Sequence, residues 1–310
     1  MKKISIFIPC YNEEANVDPL VAEIIDTFKN ELPSYDYEIL FIDNRSTDST
    51  RDCLRKICAG NPKVKAIFNA RNFGPSRSNY HGILQTSGDC TICMYADFQT
   101  PANLIPKFVE EWEKGYKIVS AIKTKSRESF VMYVIRSIYY KLIRKMSDVE
   151  QIEHFTGFGL YDKSFMDVLR SLKDPMPYFR GIISELGYER KDIEFEQPKR
   201  RAGKSSYNLF RYYDDAMLGF TSYTKAGLRL ASITGFIFAV FSFLIAIVYL
   251  VYKILFWQNF SVGIAPLVIG IFFLGSIQLI FLGIIGEYLM AINTRVMNRP
   301  LVVEEERINF

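Results

Sequence analysis

The chain is short of the residues that build metal or redox centres. Its two histidines, His81 and His154, have no cysteine or histidine partners at metal-ligand spacing, which leaves them packing or surface roles. The five cysteines (Cys10, Cys53, Cys58, Cys90, Cys93) suit a reducing compartment rather than a disulfide framework. Cys90-Thr-Ile-Cys93 has the spacing of a redox or zinc half-site, but it lies in an apolar, strand-like run with no second pair, so packing is expected. Strong charge is lacking too. A net charge of +4 suits anionic lipid heads and phosphorylated substrates better than DNA, and no nucleic-acid partner is expected. The opening MKKISIFIPCYNEE has neither the apolar core nor the small-residue cleavage site of a signal peptide.

Two stretches lack ionisable side chains almost entirely. Leu230 to Tyr252 and Ser261 to Gly286 each supply the roughly 20 apolar residues that cross a hydrocarbon core at about 1.5 Å per residue. Mean hydropathy over the whole chain is only +0.05, because a charged N-terminal two-thirds offsets this apolar third. The expected organisation is an α/β domain over residues 1–206, juxtamembrane interfacial helices over 207–229, transmembrane helices over 230–252 and 261–286 joined by a short external loop at 253–260, and a tail over 287–310. Arg211, Lys225 and Arg229 before the first span and Arg295 and Arg299 after the second outweigh Lys253 in the loop. Both termini are therefore expected in the cytoplasm of a multi-pass protein. Gly270, Gly275 and Gly283 offer a small-residue surface for a homo-oligomer.

In the first part, short β-branched runs alternate with helical periodicity. Strands are expected at 4–9, 37–43, 64–68 and 90–96, with helices at about 17–30, 50–58 and 75–86, which argues for a mostly parallel sheet. In such sheets ligands sit beyond the carboxyl ends of the strands. Polar residues recur at those ends: Tyr11, Asn12 and Glu13, then Asp43, then Asn72, then Asp97 and Gln99. One crevice is expected to collect them, with the acids meeting ribose or base donors or a cation that neutralises phosphates.

Pro9-Cys-Tyr11-Asn12-Glu13-Glu14, Asp43-Asn-Arg-Ser46-Thr47-Asp48, Arg71-Asn72-Phe73-Gly74 and Ala96-Asp97-Phe98-Gln99-Thr100-Pro101, in this order, resemble the signatures of family 2 glycosyltransferases with a GT-A fold. A narrower likeness runs through Phe179-Arg180-Gly181, Arg200-Arg-Ala-Gly203-Lys-Ser205, the two spans, Gly286-Glu287-Tyr288 and Arg299-Pro300. It resembles the polyprenyl-phosphate glycosyltransferases of the dolichyl-phosphate mannose synthase type, and more closely the bacterial bactoprenol glucosyltransferases and the undecaprenyl-phosphate aminoarabinose transferase. The resemblance implies transfer of a sugar from a nucleotide diphosphate sugar, with UDP favoured, to polyprenyl (undecaprenyl) phosphate at the bacterial inner membrane.

It further implies that Pro9, Tyr11, Asn12, Glu13, Asp43, Asn72, Ala96, Asp97 and Ser205 hold the nucleotide sugar, and that Asp97 and Gln99 bind Mg²⁺ or Mn²⁺. Asp97, Lys123 and Arg200 are the expected catalytic residues, and Lys123, Arg127, Arg136 and Arg200 are expected to take the acceptor phosphate. Three positions depart from the pattern. Tyr95 stands where the first acid of Asp-x-Asp is usual, Asn44 where a second acid follows Asp43, and Gly157 where some relatives carry an aspartate base. A phosphomonoester needs no such base, since its second pKa is about 6 and it is already anionic at neutral pH. That favours a lipid-phosphate acceptor over a glycan on a lipid diphosphate, and retention of Asp43, Asp97, Gln99, Arg200 and Ser205 argues against a protein that binds nucleotide sugars without catalysis.

Overall fold

The strands are buried apolar runs that end on polar residues, as in Lys3–Cys10, where all but two residues are buried. The structure, a computed structural model, describes residues 1–124, 152, 155–175, 177–198, 201, 209–224, 226–255 and 264–310. Strands β1 (Lys3–Cys10), β2 (Asp36–Asp43), β3 (Val64–Asn69), β4 (Cys90–Cys93), β5 (Ile118–Lys123), β6 (Phe155–Asp162), β7 (Arg190–Phe195) and β8 (Glu304–Ile308) form one sheet. Its order is β7-β5-β6-β4-β1-β2-β3-β8.

Pairs β4–β1, β1–β2, β2–β3 and β5–β7 are parallel, whereas β4–β6, β5–β6 and β3–β8 are antiparallel. The sheet is thus mixed but mostly parallel, as expected, with β6 and β8 as its reversed strands. The senses combine so that β1, β2, β3, β4, β5 and β7 all point their carboxyl ends to one edge. The start of β6 and the start of β8 reach that same edge.

Helices α1 (Val17–Glu31), α2 (Thr50–Gly60) and α4 (Ile105–Glu113) cover one face of the sheet, and α3 (Pro75–Leu84), α5 (Lys163–Ser171) and α6 (Phe179–Glu185) the other. In α1 the buried residues Val17, Leu20, Val21, Ile24 and Phe28 fall at spacings of three and four and form one apolar stripe. Alternation along β1 sends Ile4, Ile6 and Ile8 into the first core and Phe7 into the second. The same alternation sends Cys90 and Cys93 to opposite faces, so this pair cannot close on a metal or form a disulfide. Burial raises both thiol pKa values, and both side chains act as packing groups.

Three further helices follow: α7 (Leu209–Tyr223), α8 (Ala226–Leu255) and α9 (Ile264–Val296). Among the described residues, Phe273–Val296 is long and apolar enough to cross a membrane, and Leu228–Phe238 is a shorter apolar helix. Large apolar side chains on both helices face outward, Phe236 at 72% and Leu279 at 71% exposure among them. Helix α9 continues ten residues past Gly286, and this extension packs on α7. Tyr288 Oη donates to the Thr224 carbonyl at 2.6 Å, and Arg295 donates to Ser222 Oγ at 3.0 Å. Tyr223, which ends α7, covers Gly181 and donates to Glu185 Oε2 at 3.1 Å, tying this bundle to α6.

The segment 287–310, expected as a tail, instead returns to the sheet and adds β8 against β3. Glu304, Glu305, Glu306 and Arg307 give β8 a charged sequence that suits a solvated edge and blocks further strand pairing.

Candidate active site

The loops at the carboxyl edge are cross-linked to one another. After β1, Asn12 takes a left-handed φ of 57°. Its N–H donates to Ser46 Oγ at 2.9 Å, and its Oδ1 accepts from Thr47 N at 2.8 Å. Glu13 N–H donates to Thr50 Oγ1 at 2.8 Å, and the buried Glu13 carboxylate accepts from Asn16 Nδ2 at 2.6 Å. The loops after β1 and β2 are therefore tied into one piece, which Pro9 and Tyr11 adjoin in sequence.

Asp43 ends β2 and is fully buried. Its carboxylate accepts from Ser46 N at 3.1 Å and from Ser46 Oγ, and Arg51 Nε lies 3.6 Å away. Burial raises the Asp43 pKa, and the Ser46 hydrogen bonds and Arg51 oppose that rise.

Asn44, where a second acid is usual, holds together the loop that follows β3. Its Nδ2 donates to Asn72 Oδ1 at 3.0 Å, while its Oδ1 accepts from Asn69 Nδ2 at 3.2 Å and from Phe73 N at 3.0 Å. Asn72 Oδ1 also accepts from Gly74 N at 2.9 Å. An amide donates and accepts in this way, whereas an ionised carboxylate only accepts. The substitution that reads in sequence as a lost charge is thus part of a network of three asparagines.

After β4, Ala96 is buried and Asp97 half-buried. Asp97 Oδ1 accepts from Gln99 N at 3.1 Å across Phe98, whose φ is 61°. The Asp97 carbonyl accepts from Arg201 N at 3.4 Å, and the Arg201 guanidinium lies 4.9 Å from the centre of the Phe98 ring. This contact places the Arg201 guanidinium against the Asp97 loop.

Tyr95 and Gly157, two of the positions that depart from the family pattern, are neighbours. Tyr95 Oη donates to the Thr156 carbonyl at 2.6 Å, Gly157 has a φ of 95°, and a Cβ built there would lie 3.3 Å from Tyr95 Oη.

Lys123 ends β5 at the same edge, half-buried, with β6 between it and β4. Two strand spacings put it roughly 10 Å along the edge from the Asp97 strand. Arg127, Arg136, Arg200 and Ser205 lie outside the described residues. The strand ends therefore bring Pro9, Tyr11, Asn12, Glu13, Asp43, Asn72, Ala96, Asp97 and Gln99 along one edge, with Lys123 farther out. Sequence reading missed Asn44 and Asn69 as loop-holding groups, along with Arg51 and Glu305. The first two answer to partners some 25 residues away, and the last two belong to segments that read as an ordinary helix and a tail.

Among the described residues, no three His, Cys, Asp or Glu side chains are grouped to hold a metal ion alone. Asp97 and Gln99 suit a different arrangement, in which Mg²⁺ or Mn²⁺ takes one or two protein oxygens and completes its shell with substrate phosphates.

A mixed α/β sheet whose strand-end loops carry this set defines a glycosyltransferase of the GT-A type. Residues 5–169 match Glycosyl transferase family 2. Over 299 residues the chain is 30% identical to the SfII prophage-derived bactoprenol glucosyl transferase of Shigella flexneri, covering 96% of each chain. It is 30% identical over 306 residues to the uncharacterized glycosyltransferase YkcC of Bacillus subtilis (strain 168), covering 97% of this chain and 93% of that one. The solved mannosyltransferase PcManGT of Pyrobaculum calidifontis, in complex with GDP-Man and Mn²⁺, has the same fold, with a TM-score of 0.50 and 15% identity over 71% of this chain and 64% of that one. The chain belongs to glycosyl transferase family 2, in the polyprenyl-phosphate branch that holds the bactoprenol glucosyl transferase, and is an enzyme of the transferase class.

Proposed function

We propose that this enzyme transfers a sugar from a nucleotide diphosphate sugar, a UDP-sugar by preference, to a polyprenyl phosphate at the cytoplasmic face of a membrane, with inversion at the anomeric carbon. The observation that carries this reading is the contact of Arg201 with the Asp97–Phe98 loop, which sets a guanidinium beside the acid expected to serve the donor diphosphate. The name of the Shigella flexneri relative supports a bactoprenol acceptor.

In this mechanism Asp43 and the Asn12–Ser46 loop hold the nucleoside, with the buried carboxylate accepting from base or ribose. Asp97 and Gln99 would hold Mg²⁺ or Mn²⁺, which supplies Lewis-acid stabilisation of charge on the departing diphosphate. An oxygen of the acceptor phosphate attacks the anomeric carbon while the bond from that carbon to the diphosphate oxygen breaks, and the diphosphate leaves with the electron pair. The acceptor arrives anionic, so no side chain has to remove a proton, consistent with glycine at position 157. Lys123 and the basic segment around Arg200 and Arg201 hold the acceptor phosphate at the depth its lipid dictates.

The test is incubation of the purified full chain with undecaprenyl phosphate and a panel of nucleotide sugars. Formation of a lipid-linked monosaccharide together with free nucleotide diphosphate is expected. No turnover with any donor, or consumption of a lipid-diphosphate glycan in place of the monophosphate, overturns the reading.

A further inference from the structure

The strand that follows the last apolar helix reaches the loop that presents Asp43. Glu305 Oε2 lies 2.6 Å from Arg45 Nη1 and 2.8 Å from Arg51 Nη2. These two arginines bracket residues 46–50. Within that stretch Ser46 holds both Asp43 and Asn12, Thr47 holds Asn12, Ser49 N–H donates to Glu14 Oε2 at 2.8 Å, and Thr50 holds Glu13. One carboxylate on β8 therefore clamps both ends of the loop that organises the nucleoside side of the crevice.

Arg51 lies between two acids. Its side chain is 13% exposed and sits 5.0 Å from the centre of the Phe68 ring. Its Nε is buried without a hydrogen-bond partner, 3.6 Å from Asp43 Oδ1 and beyond bonding distance. Glu305 holds the closer contact, and the Arg51 guanidinium keeps the Glu305 pKa low. Without Glu305 the guanidinium is free to close on Asp43 and occupy the oxygens that a nucleoside would use, while Arg45, at a left-handed φ of 67°, loses its anchor.

We propose that Glu305 is a positioning residue for donor binding: by holding Arg45 and Arg51 together it fixes the loop between β2 and α2 and keeps the 3.6 Å Arg51–Asp43 ion pair from closing into a direct hydrogen bond. The donor site is then completed by a residue that the chain supplies only after both apolar helices have been made. Ala70 N–H donates to the Val303 carbonyl at 2.9 Å and seats β8 at its entry. The proposal rests on the reading of Asp43 as a nucleoside-binding group.

The test uses the full chain in detergent, with UDP and Mg²⁺ titrated calorimetrically and initial rates measured against donor and acceptor separately. Glu305→Gln is expected to raise the UDP Kd and the donor KM by about three- to tenfold, with the acceptor KM within about twofold of the unaltered value. The melting temperature should shift by less than about 2 °C, because Glu305 itself is 44% exposed and ion pairs made by exposed carboxylates add little to global stability. In an Arg51→Met background the same change should have a much smaller effect, since Glu305 acts through Arg51. Unchanged donor affinity in Glu305→Gln overturns the proposal, as does an equal effect with and without Arg51, or a parallel rise in both KM values with a falling melting temperature. If the unaltered chain binds no nucleoside diphosphate at all, the proposed function fails and takes this inference with it. Binding that is the same in both proteins overturns the inference alone.

Discussion

Asn44→Asp separates two readings of one position. By family pattern the change restores a usual acid and should help the enzyme. By structure it should harm it. Asn44 is 7% exposed, so the introduced carboxylate is taken out of water. It keeps the bonds accepted from Asn69 and Phe73 but turns an N–H donor into an oxygen facing Asn72 Oδ1, 3.0 Å away. Rotating the Asn72 amide repairs that contact only by pointing its NH₂ at the Gly74 N–H, whose present bond to Oδ1 is 2.9 Å. One buried hydrogen bond is lost in either case, and a buried group left without its partner costs about 1–3 kcal/mol. At about 2–4 °C per kcal/mol for a domain of this size, the melting temperature should fall by roughly 2–12 °C near pH 8. The sign of the pH dependence is fixed as well. Burial and the facing oxygen raise the pKa of the introduced carboxyl above its unfolded value, and the protonated form can donate to Asn72. The deficit should therefore be fully present above the folded pKa and shrink as pH falls toward the unfolded value. Scanning fluorimetry of both proteins from about pH 8 to about pH 5, with donor KM measured in parallel, reads both effects. An Asn44→Asp protein as stable as the unaltered chain at pH 8, or with a lower donor KM, refutes the role given to the asparagine network.

Asp97→Asn should cut turnover by at least about 100-fold, the scale of losing one group that stabilises transition-state charge, and unchanged turnover would remove Asp97 from the active site. Gly157→Ala should lower the melting temperature by a few degrees, because a φ of 95° costs a side chain about 1–3 kcal/mol and the new Cβ lies 3.3 Å from Tyr95 Oη; an equal or higher melting temperature counts against the described turn. Glu38 is buried, yet hydrogen bonds from Lys3, Ser5, Ser87 and Lys65 outweigh that burial and pull its pKa from 4.5 down to about 2. A depressed carboxylate stabilises above its unfolded pKa, here by about 3 kcal/mol, and loses that contribution as pH falls from 4.5 toward 2. The gap in melting temperature between the unaltered chain and Glu38→Gln should be widest above about pH 5 and close toward pH 2, and a gap independent of pH would show that the charge is not what Glu38 contributes.

The centre of the sheet was readable because buried parallel strands are continuous apolar runs, and their polar ends stand out against them. Asp43, Asn72 and Asp97 show in sequence for that reason. The flanks were not readable in the same way. Nothing in Ile118–Lys123 or Phe155–Asp162 states which neighbour each strand pairs with or in which sense, so the reversed strand β6 within a mostly parallel sheet was not legible. Strand β8 was hidden by its charge, since it pairs through its backbone while the side chains of Glu304, Glu305 and Glu306 bind His81, Arg45, Arg51 and Arg55. Asn44 read as a deficit because its partners Asn69 and Asn72 lie far along the chain. The turns of α9 beyond Gly286 say nothing in sequence of what they pack on, although Tyr288 and Arg295 fasten them to α7.

The return of the chain to β3 also bears on how it meets a membrane. Tyr223 is fastened to α6 on the domain side, and β8, at the far end of α9, pairs with β3 in the same sheet. If the chain enters a bilayer between these two points, it must cross it an even number of times. Helix α9 contains the stretch long and apolar enough to cross, and a single crossing would leave β8 on the wrong side from its partner. For a second crossing α8 has the length, since its 30 residues extend about 45 Å against the roughly 30 Å of a hydrocarbon core. Reporters that are active only outside the cytoplasm should then be silent when fused at either terminus and active when inserted between residues 256 and 263. A silent reporter in that loop, in a protein still recovered with the membrane, would exclude the hairpin. With β8 paired to β3, it would require both helices to lie along the surface, apolar faces down, and not across it.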